Sequence, residues 1–352
     1  MHPSDPMLVI FTSGTTSEPK AVVHSHGTWV RHTKNYADNA GEELGTSLFA
    51  GMPFFWVGGI SMLVGTAMHR GQTLLCSDSM DPVEIAELVV REGADRIFAG
   101  PNLVERVRGV LSSGRWRPEE LPPFARPAAA PTTDPARRGQ SLGMTETCAA
   151  YIVSGPADHV IPDEYLGAHG LRVPHMEYQV VDPETGAVLP EGEEGEICVR
   201  GYALMLGMHK KERHEYLDAD GWYRTGDRGR LRGPYIYFSG RIKALIKTAG
   251  ANVSPREVEA VLNACEGVLM SVVVGLPDPL RGEIVGAVVV PTSSANLQEE
   301  ELLAACAANL SSYKVPRTLL LLPAEELPVL ATGKPDLAAV QALLVRARAV
   351  AG

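Results

Sequence analysis

The sequence is short of everything that would staple it, anchor it or bind it to a polyanion. Its five cysteines, Cys76, Cys148, Cys198, Cys265 and Cys306, are odd in number, widely scattered and without a C-x-x-C pair. That excludes a disulfide framework or a cysteine zinc site and suits a reducing cytoplasm. Apolar runs such as Leu319 to Leu322 are far too short to span a bilayer. The start, Met1-His2-Pro3-Ser4-Asp5-Pro6, has neither the basic residues nor the apolar run of a secretory leader. Basic residues are outnumbered by acidic ones, 32 to 42, and the net charge of −10 argues against nucleic acid or an anionic membrane as the main partner. No internal repeat is visible. What remains is an ordinary globular composition, 45% hydrophobic and 21% charged, in 352 residues. That length gives room for one large domain or two to three smaller ones with a sizeable core.

The first part of the chain alternates strand and helix patterns. Leu8 to Phe11 reads as a strand, Thr28 to Ala40 as a helix and Ser47 to Gly51 as a strand. Gly59 to His69 reads as an apolar helix and Gln72 to Cys76 as a strand. Asp81-Pro82-Val83-Glu84 looks like a helix start, with a cap residue and proline at the first helical position. Ala94 to Ala99 reads as a strand and Pro101 to Leu111 as a helix. This rhythm predicts a mainly parallel sheet with covering helices. Pro and Ala crowd Leu121 to Pro135, which reads as a loop. From Glu177 to Gly201 the pattern turns to β-hairpins. Beyond Arg241 to Lys247 lies a compact α+β segment. Ser254-Pro255-Arg256-Glu257 resembles a capping box, Val272 to Gly275 and Ile284 to Val290 read as strands, and Leu297 to Leu310 and Pro335 to Ala349 as helices.

Several short motifs carry candidate chemistry. Thr12-Ser13-Gly14-Thr15-Thr16-Ser17-Glu18-Pro19-Lys20 follows a buried strand. Small residues there let backbone N–H groups converge on an anion, hydroxyls add donors, and Lys20 adds a positive charge. It is not the G-x-x-x-x-G-K-[ST] phosphate loop. Each motif also has a plain structural reading. A Ser/Thr/Gly loop is commonly a turn, Asp227 in Thr225-Gly226-Asp227 could cap one, Lys334 could be a solvated surface lysine, and Glu146 could sit in a helical first turn. His24 and His26 form an H-x-H pair with no third ligand nearby, which favours a role at a helix entry over a metal. Trp222 and Tyr223 read as packing residues.

In order along the chain, the motifs resemble those of the adenylate-forming superfamily, which contains acyl-CoA synthetases, luciferases and peptide-synthetase adenylation domains. The Thr12 to Lys20 loop is similar to its phosphate loop. Gly143-Met144-Thr145-Glu146 looks like its adenine and magnesium segment, and Gly195-Glu196-Ile197-Cys198-Val199-Arg200-Gly201 matches a structural strand motif. Tyr223-Arg224-Thr225-Gly226-Asp227 resembles its ribose-binding motif and Gly240-Arg241-Ile242-Lys243 its hinge. Tyr313-Lys314-Val315-Pro316 and Thr332-Gly333-Lys334 complete the set, which covers almost the whole chain apart from Ser112 to Gln140.

The resemblance implies an α/β fold. It consists of an incomplete large N-terminal domain over residues 1–240, with a mainly parallel sheet and a β-rich segment. A small mobile α+β C-terminal domain over residues 243–352 is joined to it by a hinge. The implied activity is ATP- and Mg²⁺-dependent conversion of a small carboxylic acid to an acyl-adenylate, followed by transfer to CoA or to the phosphopantetheine of a carrier protein. Thr12, Ser13, Gly14, Thr15, Thr16 and Lys20 would hold the phosphates, with Gly143 and Met144 at the nucleotide. Thr145 would donate to the α-phosphate and Glu146 would hold Mg²⁺, a hard cation suited to carboxylate and phosphate oxygens. Asp227 would accept from the ribose hydroxyls, Arg241 would lie beside the nucleotide, and Lys334 would bridge acyl and phosphate oxygens. Lys243 would be the pivot that exchanges Lys334 for Lys247-Thr248-Ala249-Gly250. Trp56, Val57, Gly58 and Gly59 would wall the acyl pocket.

Two departures from the family pattern set further expectations. The chain begins just before the phosphate loop, where family members carry a large additional segment. This predicts an uncovered sheet edge, to be covered by rearrangement, self-association or a partner chain, unless the protein starts further upstream than this sequence. The stretch before Gly143 is short, with Ala128-Ala129-Ala130-Pro131 as a relic of the family's turn and Leu142 at its aromatic position. A non-adenylating scaffold or other condensing subunit of a biosynthetic pathway, or half of a split ligase, is the competing reading.

Overall fold

The structure is a computed structural model that describes residues 2–12, 20–39, 44–125, 137–155, 159–292, 295–330 and 333–351. The chain divides into two compact units. One comprises Met1–Thr225 and Gly229–Phe238; the other comprises Gly226–Arg228 and Ser239–Gly352.

The first unit opens with β1 (Pro6–Thr12) and β2 (Lys20–Ser25), an antiparallel pair in which Thr12 faces Lys20 and Leu8 faces His24. The loop residues Ser13, Gly14, Thr15 and Thr16 lie outside the described residues, between these two strands. Sequence rhythm led straight from loop to helix; instead, Ala21, Val22 and Val23 form a strand, in which Ala21 and Val22 are buried and Val23 half-buried. Helix α1 (His26–Asn39) follows, then β3 (Ser47–Ala50). The expected Gly59 to His69 helix is a π-helix over Gly58–Gly65 followed by α2 (Thr66–Arg70). Glycine is required there. A Cβ on Gly59 would lie 2.0 Å from the Pro53 carbonyl oxygen, and one on Gly65 would lie 2.3 Å from Thr33 Cγ2.

The next elements are β4 (Thr73–Leu75), α3 (Pro82–Arg91), β5 (Arg96–Phe98) and α4 (Pro101–Leu111). Asp81 caps α3 as its sequence suggested, accepting from Val83 N–H at 2.8 Å and Glu84 N–H at 3.2 Å. Strands β4, β3 and β5 form the parallel sheet. Phe49 packs there against Ile85, Val89, Val107 and Leu111 of the covering helices. The rest of the unit is antiparallel: β6 (Leu142–Met144), β7 (Ala149–Val153), β8 (Gly170–Arg172), β9 (Met176–Val181), β10 (Gly195–Gly201) and the short β11 (Gly207–Met208), which adds to the free side of β2. With β12 (Tyr223–Arg232) and β13 (Tyr235–Arg241), β6 to β10 give a seven-stranded sheet in the order β6-β7-β8-β13-β12-β10-β9. Every residue of β7 is buried, so its side chains reach core on both faces. Val9 and Phe11 stand exposed on β1, the edge of the β1-β2-β11 sheet.

The second unit carries β14 (Ile246–Thr248), β15 (Ala251–Val253), α5 (Pro255–Asn263), the long hairpin β16 (Val268–Asp278) and β17 (Gly282–Pro291), α6 (Glu299–Asn309), β18 (Thr318–Leu321) and α7 (Leu337–Ala351). Alternation along the hairpin feeds two cores. Val273, Val285, Ala287 and Val289 meet Val258, Leu262, Leu302 and Cys306 of α5 and α6. Val272, Val274, Ile284, Val288 and Val290 meet Val340 and Leu344 of α7. The expected capping box at Ser254 does not form. Its hydroxyl donates to the Ser239 carbonyl, and Glu257 pairs with Lys314. No helix is long and apolar enough to cross a membrane among the described residues.

Leu262 is fully buried in the first of these cores. Leu262→Ala should lower the unfolding free energy by about 2–5 kcal/mol, read from urea denaturation of the second unit's transition. A loss within experimental error of zero would contradict the two-core arrangement.

Candidate functional site

The residues expected to handle a nucleotide fall in both units. In the first, Thr12 and Lys20 are cross-strand neighbours at the mouth of the loop. Gly143 and Met144 lie in β6, and Thr145 and Glu146 in the 3₁₀ turn that joins β6 to β7. Gly143 must be glycine. A Cβ would fall 2.3 Å from the Ala149 carbonyl oxygen, so the two strands could not close over the turn. The turn ends on Cys148 in a left-handed conformation (φ 59°) followed by Ala149 at φ 145°. Two consecutive non-glycine residues in that region store backbone strain next to the Thr145-Glu146 pair.

What holds this turn is a residue noted in the sequence only as half of an H-x-H pair. His24, buried on β2, donates Nε2–H to the Thr145 carbonyl at 2.7 Å. A carbonyl only accepts, so the contact also fixes the tautomer. Glu146 is held through its backbone by Met205 N–H at 2.8 Å, while Leu206 and His209 N–H groups donate to Val23 and Ala21. The turn and the strand leaving the loop are therefore tied into one piece. His26 does sit at the entry of α1. Among the described residues no group of three or more His, Cys, Asp or Glu could hold a metal. Glu146 supplies one carboxylate at this turn, a donor of the kind that would suit a Mg²⁺ carried on phosphate oxygens. Burial pushes the Cys148 thiol up to about 12, which makes it an inert packing group rather than a nucleophile.

Trp56 and Val57 lie in the approach to the π-helix, whose first residues are Gly58 and Gly59. The Trp56 carbonyl accepts from Ile60 N–H at 2.9 Å. π-Helical turns occur often at functional sites because they displace side chains from regular helical register. Trp222 and Tyr223 are packing residues as expected: Tyr223 is buried, and Trp222 lies under the Arg200 guanidinium at 4.5 Å.

In the second unit, Asp227 is fully buried, and its Oδ1 lies 2.6 Å from Arg241 Nε. The ribose and hinge motifs thus meet in one ion pair, with Asp227 in strand β12 rather than capping a turn. Lys243 lies in the 3₁₀ turn Ile242–Ala244 directly after Arg241, and Lys247 and Gly250 lie on the β14–β15 hairpin. Lys334 is exposed, and its carbonyl accepts from Leu330 N–H at 2.8 Å. Its neighbour Thr332 lies outside the described residues.

The model of the AMP-binding enzyme family matches residues 1–209. This chain belongs to that family. The model of the AMP-binding enzyme C-terminal domain matches residues 257–334. Among AMP-binding relatives, the chain is 30% identical to an indoleacetate–CoA ligase of Aromatoleum aromaticum over 94% of its own length and 66% of the relative's. It is also 30% identical to a feruloyl-CoA synthase of an Amycolatopsis species over 94% and 68%. It therefore spans about two thirds of the length of these relatives. Among solved structures, ATP-bound MatB from Rhodopseudomonas palustris superposes with a TM-score of 0.75 at 27% identity, covering 97% of this chain and 69% of that one.

Two buried imidazoles give this AMP-binding chain a measurable acid sensitivity. Burial lowers both His24 and His32 from the ordinary 6.5 to about 4. Between those pH values the unfolded chain binds protons that the folded chain excludes. Stability is therefore full above about 6.5 and falls as pH drops towards 4. The expected slope is about 1.4 kcal/mol per pH unit for each imidazole. His32→Phe should flatten it by roughly half in denaturation series across that window; an unchanged slope would contradict the assignment.

Proposed function

We propose that this chain is an AMP-forming acid–thiol ligase, which activates a carboxylic acid with ATP and passes the acyl group to a thiol. The observation that carries the reading is that one chain holds both family segments in order, each with its motif residues. In the first half-reaction a carboxylate oxygen bonds to the α-phosphorus, and pyrophosphate leaves with the electron pair of the broken P–O bond. In the second, the thiol sulfur bonds to the acyl carbon, AMP leaves, and the thiol proton passes to solvent. The first step gathers negative charges, so it needs positioning and electrostatic stabilisation more than proton transfer.

The proposed roles follow from the residues. Thr12, Ser13, Gly14, Thr15, Thr16 and Lys20 bind the phosphates. Gly143 and Met144 bound the nucleotide, and Thr145 donates its hydroxyl to the α-phosphate. Glu146 holds Mg²⁺, which when bound supplies charge neutralisation. Asp227 accepts from ribose hydroxyls, while Arg241 orients its carboxylate. Lys334 bridges the carboxylate and phosphate oxygens. Lys243 is the pivot, and Lys247 and Gly250 face the adenylate in the second step, where the absence of a side chain at Gly250 leaves room for a pantetheine arm. Trp56, Val57, Gly58 and Gly59 line the acyl side. CoA is the proposed thiol, and the cytoplasm is the proposed location, which the unpaired cysteines support.

Lys334→Ala tests the scheme because the two half-reactions separate. With indoleacetate, ferulate and straight-chain acids as the panel, ATP–pyrophosphate exchange in Lys334→Ala should fall by on the order of 10²–10³-fold. Thiol transfer from a supplied acyl-adenylate should remain within a few-fold. Equal loss in both would contradict the role of Lys334, and no exchange by the unaltered chain with any acid would sink the ligase reading.

A further inference from the structure

The β14–β15 hairpin turns on Ala249 and Gly250, both with left-handed backbone, at φ 49° and 82°. Two consecutive positive φ values define the turn that matches hairpin twist. Glycine adopts it freely. Alanine does not, because its Cβ crowds the adjoining carbonyl. The turn is therefore one that its own sequence does not secure, on the segment proposed above to face the adenylate.

The neighbouring strand offers little regular support. β14 meets β17 at a single bridge, Thr248 with Gly282. Because Thr248 and Ala251 close the turn, alternation points the Lys247 N–H away from β15. That N–H donates to a side chain, Glu283 Oε2, at 2.7 Å. The carboxylate stands where a further strand carbonyl would have been. Room for it comes from Gly275 on β16: a Cβ there would lie 2.7 Å from Glu283 Oε1. On the other flank, Ala249 N–H donates to the Arg281 carbonyl at 2.8 Å. The loop bearing Arg281 is itself braced. Asp278 accepts from Leu280 and Arg281 N–H groups, both at 3.1 Å, and pairs with Arg348 of α7 at 2.8 Å.

We propose that Glu283 is a positioning residue for thiol transfer: its carboxylate, through the Lys247 amide, holds the strained Ala249–Gly250 turn in the shape the second half-reaction uses. The inference rests on the ligase reading above and adds to it a residue outside every motif. A carboxylate suits the task because a charge-assisted bond to an amide is stronger than a neutral one. Glutamine keeps an acceptor oxygen and alanine keeps none, so the two replacements separate clamping from mere presence of a side chain.

The test uses the full chain with Glu283→Ala, Glu283→Gln, Ala249→Gly and the double variant Glu283→Ala/Ala249→Gly. Glu283→Ala should leave pyrophosphate exchange within twofold or so and raise the KM for CoA by on the order of tenfold, the scale of one such bond. Glu283→Gln should restore most of that, and Ala249→Gly should rescue Glu283→Ala, because glycine holds the turn unaided. Amide hydrogen exchange over Lys247–Gly250 should speed up in Glu283→Ala. Unchanged KM for CoA, equal loss of both half-reactions, absence of rescue or unchanged amide protection would each overturn the proposal. No pyrophosphate exchange by the unaltered chain, together with faster amide exchange in Glu283→Ala, would overturn the ligase reading and keep the clamp.

Discussion

The hydrogen bond from His24 to the Thr145 carbonyl is the contact on which the first unit's site depends. It joins residues 121 positions apart. On one side is the strand that leaves the phosphate loop; on the other is a turn whose two following residues sit in strained backbone. Without an external partner such a turn would relax, and the hydroxyl of Thr145 and carboxylate of Glu146 would lose their fixed origin. An imidazole suits the task because it donates from a rigid ring and tolerates burial as a neutral group. The cost is acid sensitivity, which both His24 and His32 carry.

The second unit repeats the logic with charge in place of an imidazole. Asp227 is fully buried, and Arg241, the first residue beyond the ribose-motif sheet's Gly240, meets it at 2.6 Å. Removing Arg241 would leave the buried Asp227 carboxylate without its ion-pair partner, so the pair ties the end of β13 to the middle of β12. From there the chain runs through Lys243 into a hairpin whose tip is again strained and again held from outside, by Glu283 and the Arg281 carbonyl. In both units the backbone near the proposed site residues is kept out of its relaxed shape by one or two contacts from sequence-distant residues. This is how loops acquire the precision of regular elements.

Much of the frame was legible from local pattern. The cap and proline at Asp81-Pro82 mark α3, Pro101 to Leu111 is a helix over those same residues, and the valine-rich runs at 272 and 284 lie inside β16 and β17. The order of motifs pointed to the AMP-binding family, and the family match agrees with that. Other features depend on contacts that no local window contains. The apolar run at Gly59 fits an α-helix and a π-helix equally; the approach of Pro53 and Thr33 accompanies the outcome. Strand β2 was hidden because a short apolar run next to a helix start has no period of its own. The capping box at Ser254 failed because Ser239, fifteen positions earlier, offered its hydroxyl a better acceptor. His24 drew notice for its neighbour His26, whereas its partner is Thr145.

The central claim is that this chain transfers an acid's oxygen to the α-phosphate of ATP. Labelling the carboxylate of an accepted acid with heavy oxygen tests it most directly, by mass spectrometry of the products after turnover with ATP and CoA. The account predicts one labelled oxygen in AMP per turnover and none in pyrophosphate. Label in inorganic phosphate, or thioester formed without labelled AMP, would contradict it.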